Sequence, residues 1–156
     1  MELTTRGVIE ECLKHKRLAV IGVSRNPKEF SHQLWLVLKA KGYEPVPVNP
    51  GTSAIGSDKC YSRVQDISPA VDWALVLTPQ AVTDQAVRDC IEAGVNRIWL
   101  HRGGGKGALT ETAVALCKEN GIKVVPGQCP YMFLPESGFP HKVHAFFKKL
   151  SGSYPK

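Results

Sequence analysis

The 156 residues carry 20 Lys and Arg against 14 Asp and Glu, a formal charge of +6, and 43% of them are hydrophobic. That length suits one domain burying one core, and the basic balance favours anionic partners such as a phosphorylated small molecule, nucleic acid or an acidic membrane surface. The basic residues are scattered with no aromatic-basic RNA signature, and no apolar stretch reaches membrane-spanning length, which argues against nucleic acid and membrane.

In chain order, residues 8–14 read as a short amphipathic helix with Val8, Ile9, Cys12 and Leu13 on one face. Residues 17–23 follow as a first strand whose Leu-Ala-Val-Ile run is continuous, the pattern of a parallel strand covered on both faces. Leu34, Val37, Leu38 and Lys41 repeat at helical spacing until Gly42, and residues 46–48 form the second strand. Residues 50–68 are the one long connection.

Residues 72–77 are the third strand, after which Thr78 is expected as N-cap and Pro79 as first helical residue. Ala81, Val82, Ala86, Val87, Cys90 and Ile91 then give a helix its apolar face, ended by Gly94, and residues 96–100 are the fourth strand. A helix over 109–119 capped by Gly121 and a fifth strand over 122–125 complete the pattern. Right-handed crossovers turn this order into an α/β, Rossmann-like, doubly wound five-stranded parallel sheet with helices on both faces. The expected organisation is a single domain over 1–156, with its core at 8–130 and a helical extension at 139–150 bearing Val143, Phe146, Phe147 and Leu150.

In such sheets ligands bind outside the carboxyl ends of the strands. The first such turn, Gly22-Val23-Ser24-Arg25-Asn26-Pro27, keeps only one glycine of a dinucleotide fingerprint. It is either a phosphate cradle, with donors from Ser24 and Asn26 and charge from Arg25, or an ordinary polar turn. After the second strand stand Asn49, Pro50 and Gly51, where NAD-binding folds place an acid on the ribose hydroxyl. The neutral amide leaves NADP or coenzyme A.

Other signals are weaker. The cluster Gly103-Gly104-Gly105-Lys106-Gly107 does not have Walker spacing and is either an anion nest or a plain glycine loop. Cys12, Cys60, Cys90, Cys117 and Cys129 form no Cys-x-x-Cys pair or zinc spacing, so they read as reduced thiols of a cytoplasmic protein, and no signal-peptide pattern opens the chain. His141 and His144 lie beside Lys142, Lys148 and Lys149 on what reads as a solvated face rather than a metal site. There is no Ser-His-Asp order, nucleophile elbow or carboxylate pair, which leaves His101 as the one candidate acid or base.

The block Ile21-Gly22-Val-Ser24-x-Asn26-Pro27, with Gly42-Tyr43, Val46-Pro-Val-Asn49-Pro50, Gly56, Cys60-Tyr61, Asp66-Ile67, Val71-Asp72 and Cys129-Pro130, resembles the small CoA-binding proteins. That family is related to the CoA-binding domain of the succinyl-CoA synthetase alpha subunit. The resemblance implies that Gly22, Val23, Ser24, Arg25, Asn26 and Pro27 hold the CoA phosphates and that Asn49 and Pro50 lie near the phosphorylated ribose. It implies further that Leu77, Thr78 and Pro79 flank the adenosine, that His101, Arg102 and Gly103 face the pantetheine or pyrophosphate, and that Cys129 lies where the thiol end arrives.

The function expected is a cytoplasmic protein that binds coenzyme A or an acyl-CoA for sensing or carrying, without catalysis of its own. The alternatives are an NADP-type oxidoreductase or acyl-transfer component, and a redox-responsive interaction module using Cys129. Phe139, Phe146 and Phe147 are the candidate face for a homodimer or a protein partner.

Overall fold

The structure, a computed structural model, describes residues 5–102 and 107–134. The extension at 139–150, with His141, His144 and the phenylalanines Phe139, Phe146 and Phe147, lies outside the described residues, as do Gly103 to Lys106.

Helix α1 (Thr5–Lys14) leads into β1 (Arg17–Ile21), α2 (Phe30–Ala40) and β2 (Glu44–Val48). A small antiparallel pair, β3 (Ala54–Ile55) and β4 (Asp58–Lys59), occupies the long connection. Then come β5 (Trp73–Val76), α3 (Gln80–Glu92), β6 (Arg97–His101), α4 (Glu111–Glu119) and β7 (Lys123–Gln128). The main sheet has five parallel strands in the order β2-β1-β5-β6-β7. The chain runs outward from β1 to β2 and then crosses back over β1 to β5, so the direction of winding reverses between β1 and β5.

Strand parity divides the core. Leu18, Val20, Trp73, Leu75, Trp99 and Val125 pack with α1 and α2. Ala19, Ile21, Ala74, Val76, Ile98 and Leu100 pack with α3 and α4. Alternate side chains of a strand point to opposite faces, so a run that is apolar throughout feeds both layers. Each buried indole N–H finds a carbonyl: Trp35 donates to Pro45 at 2.8 Å, Trp73 to His15 at 2.9 Å and Trp99 to Gln128 at 2.8 Å.

The edge strand β2 carries two prolines where a central strand would lose ladder bonds. Glu44 donates inward to Lys16, whereas the carbonyls of Pro45 and Pro47 face outward and accept from Trp35 and from the Tyr61 N–H at 3.0 Å. The missing proline donors therefore lie on the outer edge. Tyr61 in turn accepts from the Asn49 N–H at 2.9 Å, which draws the connection at 50–68 against the end of β2.

Element ends differ from the sequence expectation in informative ways. Thr78 does not cap α3: Pro79 holds the cap position in extended conformation without a side-chain bond, and the helix begins at Gln80. The Thr78 hydroxyl instead pairs with that of Thr83 at 2.7 Å, both side chains being buried. β7 runs three residues beyond the expected strand because a register shift between Leu100 and His101 lets Gln128 stay paired. The helix expected over 109–119 starts two residues late, at Glu111, because Thr110 is its N-cap.

Thr110 Oγ1 accepts from the Ala113 N–H at 2.9 Å and donates to Asp84 Oδ1 at 2.6 Å. Thr110→Ala should therefore cost about 1 kcal/mol in urea unfolding, and Thr110→Ser should restore most of it.

Candidate functional site

The turns that leave β1, β2 and β5 meet at the reversal of winding. Gly22 begins the first with φ +100°, a conformation that side chains resist, and its N–H donates to Val48 O at 2.9 Å. A Cβ at Gly22 would lie 3.1 Å from the Leu77 carbonyl carbon and 3.2 Å from the Thr78 nitrogen, so glycine is what lets the exits of β1 and β5 close up.

The turn from Gly22 to Glu29 is held by its own side chains. The Ser24 N–H donates to Ser31 Oγ at 2.9 Å, and Ser24 Oγ accepts from the Asn26 N–H at 3.0 Å. Asn26 Oδ1 accepts from the Lys28 N–H at 3.0 Å, and the buried His32 donates from Nδ1 to Ser24 O at 2.7 Å. Gln33 Nε2 donates to Pro27 O. These bonds present Arg25, Asn26 and Pro27 outward, and among the described residues the exposed Arg25 guanidinium has no ion-pair partner.

Asn49 faces the backbone. Its Nδ2 donates to Val23 O at 2.9 Å and its Oδ1 accepts from the Gly51 N–H at 2.7 Å. The amide expected beside a sugar thus clamps the first turn to the second, with one donor hydrogen left over.

A cleft of about 440 Å³ opens here on the α3 side, lined by Gly22, Asn49, Pro50, Thr78 and Pro79. Its remaining wall comes from residues that the sequence did not mark as site candidates. Arg63 enters from the long connection and pairs with Asp66 at 3.3 Å, which holds its guanidinium pKa above the ordinary value. Val82, 49% exposed, offers an apolar surface on the first turn of α3. Asp89 accepts from Gln65 and Gln85, each at 3.0 Å. No spacing rule marks Arg63, whereas Val82, Gln85 and Asp89 follow from helical geometry once Pro79 is placed.

The other expected residues divide between the faces of the sheet. Val23 is fully buried, and Leu77 packs against the α1 and α2 layer, so neither side chain lines the cleft. His101 turns toward α2 and meets the Phe30 ring at 4.9 Å between centroids. Burial pushes its pKa down to about 4, so the imidazole is neutral at pH 7. Arg102 lies on the opposite side, where a Cβ on Gly127 would come within 3.4 Å of its Cδ and 3.1 Å of Leu109 Cδ2. Gly107, at φ +57°, has no room for a Cβ against His101 O, and the Ala108 N–H closes the loop after β6 onto that same oxygen at 2.8 Å. Gly103 lies outside the described residues.

Cys129 does not sit as an open thiol. It is buried, and desolvation raises its pKa, outweighing the backbone hydrogen bond from Tyr131 that lowers it. Desolvation thus disfavours the thiolate that a thiol relay needs. All five cysteines are buried and unpaired. No group of three or more His, Cys, Asp or Glu side chains suited to a metal occurs among the described residues, nor is any described helix long and apolar enough to cross a membrane.

Comparison with known proteins bears on this arrangement. An acetate–CoA ligase (ADP-forming) II of Archaeoglobus fulgidus is 30% identical over 132 residues, which are 80% of this chain and 20% of that protein. The chain therefore spans about a fifth of that ligase. The Bacillus subtilis protein YneT is 27% identical over 130 residues, covering 83% of this chain and 93% of that one. Among solved structures, a hypothetical protein from Pyrococcus horikoshii superposes with a TM-score of 0.74 at 22% identity, over 93% of this chain and 92% of its own. The apo dinucleotide-forming acetyl-coenzyme A synthetase 1 of Ca. Korarchaeum cryptofilum gives 0.63 at 26% identity over 73% of this chain and 26% of that one. The model of the CoA binding domain matches residues 16–135, from the start of β1 through β7, and the chain belongs to that family.

Proposed function

We propose that this chain binds coenzyme A or an acyl-CoA across the carboxyl ends of β1, β2 and β5, as a binding, sensing or carrier protein without chemistry of its own. The observation that carries the reading is the meeting of three turns around Gly22, beside a cleft with an apolar wall, in a chain of the CoA-binding family. The Arg25 turn supplies the positive charge for the phosphates. Pro79, Val82 and Ala86 supply apolar surface for the adenine ring.

Catalysis finds no support in the groups lining the cleft. Asp89 is engaged by two glutamine amides, and His101, the one acid or base candidate, is neutral and turned to the other face. Buried, unpaired cysteines favour a reducing compartment such as the cytoplasm.

Titration calorimetry against CoA, acetyl-CoA, NADP and NAD tests the reading, which predicts heat and a raised melting temperature with the CoA ligands alone. Binding of NADP without CoA overturns it. Arg25→Ala should weaken CoA by about 1.5 kcal/mol, roughly tenfold, with the melting temperature of the free protein unchanged.

A further inference from the structure

A second cleft, of about 400 Å³, is lined by Leu109, Val114, Ala115 and Pro126, with Glu111 and Lys118 as its charged members. It is a seam between α4 and β7. Among the described residues β7 is an edge strand, paired with β6 alone. Val124 packs on the α4 side of the sheet, and strand parity puts Pro126, two positions on, on that side too. Pro126 is exposed, and Leu109, Val114 and Val124 are only partly buried, so the described residues leave apolar surface open along the edge. Sheet edges are ordinarily covered by a helix or loop, and an apolar patch beside one marks a place where something docks.

The chain itself supplies an occupant. Val143, Phe146, Phe147 and Leu150 recur at the spacing of one helical face, next to Lys142, Lys148 and Lys149. Charge separates the two helix layers as partners for them. On α3 and α4 acidic residues outnumber the cations, which are Arg88 and Lys118, whereas on α1 and α2 the basic residues are in the majority. A basic segment is therefore drawn to the layer of α3 and α4. Reach permits it. Eight residues separate Leu134 from Val143, and an extended chain of that length spans up to about 28 Å. Packed layers lie only about 10 Å apart, so the chain can pass round the edge strand.

We propose that residues 143–150 dock in the seam between α4 and β7, with Phe146 and Phe147 against Val114 and Pro126 and the lysines over the acidic helix surface. The open edge of the sheet is then closed by this chain's own apolar stripe, not by a second copy.

A nitroxide on Ser151→Cys in the full chain reads the contact, the five native cysteines being buried. The amide signals of Val114, Ala115 and Lys118 on α4 should be lost, while those of Glu10 on α1 and Leu36 on α2 persist. Adding Phe146→Ser and Phe147→Ser to the labelled chain should restore the α4 signals. Isotope-enriched protein without the nitroxide, mixed with nitroxide-bearing protein of natural isotope content, should keep all of them, because the contact lies within one chain. Loss at Glu10 or Leu36 as large as at Val114, or no loss at all, overturns the inference. Loss that survives the two serine substitutions does so too, as does loss in the mixed sample, which would assign the seam to a second copy. The singly substituted, labelled chain decides even where the serine variant fails to fold.

Discussion

Gly22→Val is expected to cost about 3 kcal/mol or more of folding free energy and to remove CoA binding with it. The native φ of +100° alone disfavours any L side chain. The added Cβ would also meet backbone atoms, the Leu77 carbonyl carbon at 3.1 Å and its oxygen at 3.2 Å. Those atoms cannot retreat cheaply, because the Leu77 N–H is bonded to Ile21 O at 2.8 Å and β5 is central in the sheet. Backbone strain of about 1–3 kcal/mol and crowding of similar size together consume a large share of the roughly 5–15 kcal/mol that stabilises a domain. Gly56 is the control: its φ is +59°, but nothing lies within 4 Å of a Cβ there. In urea unfolding Gly56→Ala should therefore lose only about 1 kcal/mol. Equal midpoints for Gly22→Ala and Gly56→Ala would show that the close approach to Leu77 carries no energetic weight.

The second large effect is a loss of stability in mild acid. His101 titrates at about 4 in the folded chain because burial disfavours its charge, against an ordinary value of 6.5. Between those values the unfolded chain binds a proton that the folded chain does not. The contribution is therefore complete above pH 6.5 and declines as pH falls toward 4, where the folded imidazole also protonates. The slope is about 1.4 kcal/mol per pH unit, and allowing for the ring's partial exposure the whole decline is about 2–3 kcal/mol. Urea midpoints at pH 7.0, 5.5 and 4.5 measure it. Carboxylates such as Glu11, lowered chiefly by its hydrogen bond with Lys123, lose stabilisation over an overlapping acid range and do so equally in a His101→Gln variant. The difference between wild type and variant isolates the imidazole, and parallel curves would mean that His101 is not the group responsible.

Both effects lie in the carboxyl-end turns, and the two residues were legible to different degrees. Gly22 stood out because a strand-ending glycine before a polar turn is a local signal. His101 was visible as a strand-end histidine, but its neutrality comes from burial, with the Phe30 ring, 71 positions earlier in the chain, packed against it. Asn49 follows the end of β2. That its amide is turned inward follows from the approach of Val23 O, a contact between two turns that no pattern encodes. The cap at Thr78 failed for a similar reason, since the buried hydroxyl of Thr83 competes for it. Arg63 was passed over because a long connection gives no periodicity to place it, and it reaches the cleft through the Tyr61 pairing with β2 and the Gln65 bond to Asp89.

Hydrophobic period and turn chemistry act within a few residues, so the parallel sheet, the helices on both faces and the glycine that opens the turn after β1 were legible in the chain itself. Which expected residues share a face follows from the fold, since strand parity, the register shift between β6 and β7 and the folding-over of residues 50–68 distribute them between the two sides of the sheet. Contacts between residues far apart in sequence set that sorting, and local preference is silent about them.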